Sequence, residues 1–155
     1  MFSVALICTA NRCRSVMAHA IFVAEAKQRQ IPVDVFSAGV FDFRGQPPIR
    51  ETTSTCEINK TRAPDEIATW VRDLPLRSID RFLVMEQLHA DVLIYEYGVS
   101  PDRVRLLGLF DPRNRGREID DPFGQSDAVY QAQYELIRDC IVNYLDSREV
   151  STTSR

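Results

Sequence analysis

The chain has no apolar run approaching the ~20 residues that a membrane span requires, so no transmembrane helix is expected. It opens directly on strand-forming residues, without a basic segment and a small-residue cleavage site, and so no secretory signal is expected. Both readings point to a cytoplasmic protein. Histidine is scarce: His19 and His89 are the only two, and neither joins a visible constellation. Without a supporting His or Cys pair, the four cysteines do not make a zinc site. A chain of 155 residues can bury its apolar side chains in one domain, so it needs no disulfide staples. Charge is nearly balanced at −3, which gives no electrostatic reason to expect nucleic-acid binding. Internal repeats, low-complexity tracts and interdomain linkers are also missing.

What is present is a strong local pattern at the start. Phe2–Ile7 is a short, mostly apolar run of strand formers, the signature of a strand buried on both faces. Helical spacing begins at Val16, with Met17, Ala20, Ile21 and Ala24 on one face. Between the two lies Cys8-Thr9-Ala10-Asn11-Arg12-Cys13-Arg14-Ser15. Backbone N–H groups of such a loop, continued by a helix N-terminus, cradle a tetrahedral oxyanion without a metal. Arg14 adds a planar fork of donors for two phosphate oxygens. Cys8 lies where a nucleophile would sit beneath the anion, and these donors favour its thiolate form. Ser15 either caps the helix or supports the loop.

The rest of the chain alternates strand and helix. A second strand over Pro32–Ala38 completes a βαβ unit, for which parallel pairing is the default. A loop at Gly45–Pro48 precedes a short helix over Ile49–Cys56. Pro64-Asp65-Glu66 looks like a helix start and predicts a helix running towards Asp73. Arg81–Met85 reads as the third strand, Gln87–Tyr97 as a helix closed by Gly98, and Val104–Leu107 as the fourth strand. Residues 110–125, with Pro112, Gly116, Pro122 and Gly124, form a loop. Ser126 opens a final helix whose expected apolar face is Val129, Ala132, Leu136, Ile137, Cys140, Ile141, Tyr144 and Leu145. Cys140 thus reads as a core residue, and Cys56 has no assigned role. The fold class is α/β: a single three-layer domain over residues 1–147, with a four-stranded parallel sheet, helices on both faces and an N-terminal strand–phosphate loop–helix. Residues 148–155 are expected to be a polar tail.

The loop Cys8–Ser15, together with the late Asp121-Pro122-Phe123-Gly124, resembles the low-molecular-weight protein tyrosine phosphatase family. Ser37-Ala38-Gly39, Asp42-Phe43, Met85-Glu86, Leu107-Gly108 and Asp111-Pro112 extend the match over essentially the whole chain. The resemblance implies a metal-independent phosphatase with no cofactor, acting on phosphotyrosine proteins through a cysteinyl-phosphate intermediate. Cys8 is then the nucleophile, Arg14 the phosphate clamp and Asp121 the general acid, with Asp120 and the Asp111-Pro112 pair as competitors. Thr9, Ala10, Asn11, Arg12, Cys13 and Ser15 complete the phosphate loop, and Phe43 and Phe123 are aromatic walls of the pocket. It implies also that Ser37 supports Asn11 and that Asn59 and Arg62 fall near loop-supporting positions. Cys13, five residues from Cys8 in the same loop, is either a redox partner for it or a small buried residue beneath the loop. The implied partner is a phosphotyrosine protein, a bacterial tyrosine kinase among the candidates, and the expected state is a monomer or weak homo-oligomer.

Three residues depart from the family pattern. Ala10 replaces a usual glycine, Val16 a usual proline, and Arg12 a usual aliphatic residue at the pocket mouth. An arginine there favours acidic groups beside the phosphoresidue and repels a phosphoarginine guanidinium. Two further readings stand beside tyrosine phosphatase. Arsenate reduction on the same fold needs two more cysteines close together in a mobile segment, and residues 57–139 contain none. A non-catalytic phosphotyrosine- or anion-binding module would not need Cys8, Arg14 and Asp121 together.

Overall fold

The computed structural model describes residues 1–64, 67–147 and 149. Its element order is β1 (Phe2–Cys8), α1 (Arg14–Gln28), β2 (Val33–Gly39), α2 (Arg50–Ile58), β3 (Arg81–Val84), α3 (Gln87–Asp91, continued as a π-helix over Val92–Glu96), β4 (Val104–Leu106) and α4 (Asp127–Asp146). The sheet order is β2-β1-β3-β4 and every pair is parallel. β1 therefore sits in the interior, and the chain leaves it towards β2 on one side and β3 on the other. In such a sheet the strand order reverses at the carboxyl end of β1, and ligands bind in the crevice opened there. The loop after Cys8 occupies that position.

The apolar run of β1 is explained by its two covered faces. Phe2, Val4, Leu6 and Cys8 point into a core shared with α1 and α4, including Met17, Ile21, Phe22, Ile137, Ile141 and Tyr144. Ala5 and Ile7 point the other way, into a second core with Phe82, Val84, Val71, Val92 and Leu93. Successive side chains of a strand alternate faces, so only a continuous apolar run satisfies both. The α/β architecture expected from the sequence is the one observed.

Two expectations need correction. No helix runs from Pro64 towards Asp73: residues 65 and 66 lie outside the described residues, 67–69 are not helical, and only Val71–Asp73 makes a 3₁₀ turn. Tertiary hydrogen bonds take the backbone instead. Ala68 N–H donates to Gln46 O, Gly39 N–H to Thr69 O, and Trp70 bridges Gly39 in parallel fashion. The buried face of α4 is also rotated from the one expected. Val129 is exposed, whereas Tyr130 and Tyr134 are buried. Their buried hydroxyls find partners in Cys13 Sγ and Thr61 Oγ1 respectively. The expected tail, residues 148–155, lies outside the described residues except for Glu149, which pairs with Arg105 at 3.1 Å.

Candidate active site

β1 ends at Cys8 and α1 starts at Arg14, with Cys13 at its N-cap. The five residues between close a loop around the free N–H groups of the helix N-terminus. The turn is made by Asn11, whose φ of 60° is left-handed. Asparagine tolerates that conformation better than most residues. Ala10 is not among the residues with positive φ, so the usual glycine is not required there. Ser15 lies within α1 rather than capping it, and it supports the loop.

The hydrogen bonds of Asn11 can be oriented without ambiguity. Thr69 N–H donates to its side-chain oxygen at 2.9 Å, which leaves the amide nitrogen facing Ser15 Oγ at 2.7 Å. Ser15 Oγ accepts from that amide and so has its own proton free for Cys8 Sγ, 3.0 Å away. Asn11 N–H also points at Cys8 Sγ, at 3.3 Å. Two donors thus converge on the sulfur. Ser37 plays no part in this relay; its hydroxyl meets His19 Nδ1 at 2.8 Å. Burial pushes the His19 imidazole down to about 4 and keeps it neutral.

Arg14 is 2 % exposed, and its donors can be counted. The two N–H groups of Nη1 go to the Glu86 carboxylate and to Ile119 O, the latter at 2.7 Å. One N–H of Nη2 goes to Thr9 Oγ1 at 3.2 Å. A guanidinium has five N–H donors, so two remain, one on Nε and one on Nη2. Nε and Nη2 form one edge of the plane, an edge that can fork onto two phosphate oxygens. Glu86 and Ile119 come from the carboxyl ends of β3 and of a loop over a hundred residues away, and together they fix the clamp. His89 completes this cluster. It is fully buried, accepts from Glu86 N–H through Nδ1 at 3.1 Å, and faces Thr9 Oγ1 through Nε2 at 3.0 Å. Burial, with the Arg14 charge as a lesser cause, pushes it down to about 3.

A cavity of about 210 Å³ opens over the loop, lined by Cys8, Thr9, Ala10, Arg12, Cys13, Arg14, Phe43, Ile49, Asp121 and Phe123. It gathers the nucleophile, clamp, acid and aromatic-wall candidates into one place. Asp121 Oδ2 is 3.9 Å from Arg14 Nη2, while its Oδ1 accepts from Phe123 N–H at 3.0 Å. Among the competing aspartates, Asp120 is exposed and does not line the cavity. Asp111 is 3 % exposed and held in a turn by Arg113 N–H. Arg12 ties its Nε to Pro47 O at 2.8 Å, and its carbonyl accepts from Ile49 N–H and Thr52 Oγ1. Its guanidinium is thereby placed at the rim. Cys13 Sγ is 3.5 Å from Tyr130 Oη, and burial is the main cause that pushes its thiol up.

Asn59 and Arg62 are not at the loop. Asn59 caps α2 and exchanges amide hydrogen bonds with Gln131 at 2.7 and 3.1 Å, and neither residue lines the cavity. The residues that reading the sequence missed are Glu86, His89, Gly39 and the backbone of Thr69 and Ile119. Met85-Glu86 was visible only as a matching dipeptide; its place at the carboxyl end of a strand beside β1 was the available signal. Among the described residues, no helix is long and apolar enough to cross a membrane, and no group of three or more His, Cys, Asp or Glu residues could hold a metal ion.

Comparison with known proteins agrees with this geometry. A protein-arginine-phosphatase of Bacillus subtilis is 31% identical over 127 residues, covering 81% of this chain and 82% of its own. The low molecular weight protein-tyrosine-phosphatase PtpB of Staphylococcus epidermidis is 30% identical over 135 residues, covering 87% and 91%. The crystal structure of the low molecular weight protein tyrosine phosphatase from T. tengcongensis superposes with a TM-score of 0.87 at 27% identity, covering 94% of this chain and 99% of that one. The family model described as low molecular weight phosphotyrosine protein phosphatase matches residues 3–153, and with a β1–loop–α1 cradle that joins Cys8 to Arg14 at the sheet's switch point, this chain belongs to that family.

Proposed function

We propose that this protein hydrolyses phosphotyrosine in proteins by two in-line displacements at phosphorus. In the first, Cys8 Sγ attacks, the P–O bond to the tyrosine breaks, and Asp121 gives its proton to the leaving phenolate. In the second, Asp121 takes a proton from water as the water attacks the cysteinyl-phosphate. The S–P bond breaks, inorganic phosphate leaves, and the Ser15 hydroxyl stabilises the departing thiolate. Throughout, the Nε/Nη2 edge of Arg14 and the loop N–H groups hold the equatorial oxygens, where charge is spread in the transition state. Thr9, Ala10, Asn11, Arg12 and Cys13 supply the loop.

The observation that carries this reading is the single cavity that holds Cys8, Arg14 and Asp121 beneath walls formed by Phe43, Ile49 and Phe123. Two aromatic rings at the mouth suit an aryl group, which they can flank face-on or edge-on. The Arg12 guanidinium at the rim attracts acidic neighbours of the phosphotyrosine and repels a phosphorylated guanidinium, so phosphotyrosine is preferred over phosphoarginine. Cys13 is the resolving thiol: if Cys8 is oxidised to the sulfenic acid, condensation forms a disulfide and releases water.

The test is phosphate release from matched phosphotyrosine, phosphoserine and phosphoarginine peptides, with Cys8→Ser as control. Turnover of the phosphotyrosine peptide that is lost in Cys8→Ser is the expected result. A preference for phosphoserine, or activity surviving Cys8→Ser, would overturn the assignment; a preference for phosphoarginine would overturn the role given to Arg12.

A further inference from the structure

The phosphate clamp holds a proton that no group among the described residues receives. His89 Nδ1 accepts from Glu86 N–H, so it carries no hydrogen. The imidazole is buried and neutral, with Arg14 and Glu86 as the charged groups facing it, and its one N–H is therefore on Nε2. That N–H donates to Thr9 Oγ1. Arg14 Nη2 has only hydrogens to offer and donates to the same oxygen. Both lone pairs of the Thr9 hydroxyl are thereby occupied. Its own hydrogen cannot point back along either bond, and among the described residues Thr9 Oγ1 has no further partner. Thr9 lines the cavity immediately after the nucleophile.

We infer that Thr9 is a side-chain donor to the transferring phosphoryl group, with His89 as the positioning residue that turns the hydroxyl into an obligatory donor. The inference rests on the phosphatase reading above, because the acceptor is a phosphoryl oxygen bound over Cys8. It assigns to the loop a donor beyond its backbone N–H groups and Arg14. It also gives a buried histidine that does not line the cavity a part in substrate binding.

Thr9→Val keeps the shape of the side chain and removes the hydroxyl, whereas Thr9→Ser keeps the hydroxyl. Loss of one hydrogen bond to a charged oxygen is expected to lower kcat/KM on a phosphotyrosine peptide roughly ten- to hundredfold in Thr9→Val, and to weaken orthovanadate binding by a similar factor. Thr9→Ser should stay within about threefold of the native protein. An anchor for Arg14 alone would be indifferent to His89, so a double-mutant cycle separates the two roles. His89→Ala should lower turnover in the native background and add nothing to Thr9→Val. Native turnover and vanadate affinity in Thr9→Val, equal damage in Thr9→Ser, or fully additive effects of His89→Ala would each overturn the inference. If His89→Ala does not fold, His89→Phe, which fills the same buried space without ring nitrogens, takes its place in the cycle. Vanadate keeps the two readings apart: a native protein that binds it without turnover, and loses that binding in Thr9→Val, would sink the phosphatase reading and retain the donor.

Discussion

Gly39→Ala tests whether the sheet's close approach to the phosphate loop sets the rate. Gly39 pairs with Cys8 across the β1–β2 ladder and packs directly under the loop. A Cβ built on it would lie 2.6 Å from Thr9 O, 2.7 Å from Ala10 C and 2.9 Å from Ala10 Cα, all of them backbone atoms. The first distance falls about 0.8 Å short of the 3.4 Å where ordinary van der Waals contact begins. No flexible side chain can yield, so the loop itself must retreat by most of that distance. Overpacking of this kind costs ~1–3 kcal/mol in stability. For a chain of this length each kcal/mol corresponds to roughly 2–4 °C in Tm. The larger effect should be on chemistry: a displacement of ~1 Å in a catalytic array costs ~10²-fold in rate. Gly39→Ala is therefore expected to lose about a hundredfold in kcat on an aryl phosphate while melting only several degrees lower. Gly45→Ala is the control: its φ of +89° strains any Cβ, yet nothing lies within 4 Å of it. It should lower Tm slightly and leave kcat unchanged. The measurements are initial rates and calorimetric melting of the three proteins. Native turnover in Gly39→Ala would refute the argument, since it would mean that the loop tolerates a displacement the geometry makes unavoidable.

Asp121→Asn is expected to lower kcat by ~10²–10⁴ on phenyl phosphate, whose leaving group is poor, and by less on p-nitrophenyl phosphate, where only hydrolysis of the cysteinyl-phosphate still needs the carboxylate. Asp120→Asn should stay close to native, and the reverse ranking would reassign the acid. Arg12→Glu should invert the response to flanking charge, so that phosphotyrosine peptides with acidic neighbours lose kcat/KM and those with basic neighbours gain; an unchanged peptide ranking would remove Arg12 from recognition. His19 is half-buried and held neutral, so below about pH 6.5 the unfolded chain binds a proton that the native state refuses until about pH 4. Native stability must therefore fall with decreasing pH through that window, by up to ~1.4 kcal/mol per pH unit from this group. His19→Asn should flatten the slope in urea denaturation between pH 7 and pH 4.5, and an unaltered slope would show that His19 is protonated in the native state.

The parts of this protein that could be read from its sequence are those whose partners are neighbours along the chain. A strand buried on both faces, a loop and a helix follow one another over Phe2–Gln28, and the nucleophile and clamp lie within seven residues of each other. Strand–helix alternation then determines a parallel sheet, because parallel strands need crossovers. What only the tertiary structure decided is whatever depends on distant segments meeting. Glu86, His89 and Ile119 reach Arg14 and Thr9 across 72 to 105 positions of sequence, and Thr69 reaches Asn11 across 58. Long-range bonds also hold residues 68 and 69 out of a helix: Ala68 N–H donates to Gln46 O, and Thr69 O accepts from Gly39 N–H. The rotation of α4 is decided the same way: packing against the rest of the fold turns Tyr130 and Tyr134 inward and leaves Val129 exposed. The loop Cys8–Ser15 announces its chemistry locally, but the direction in which each donor points is imposed by residues that approach it through the fold.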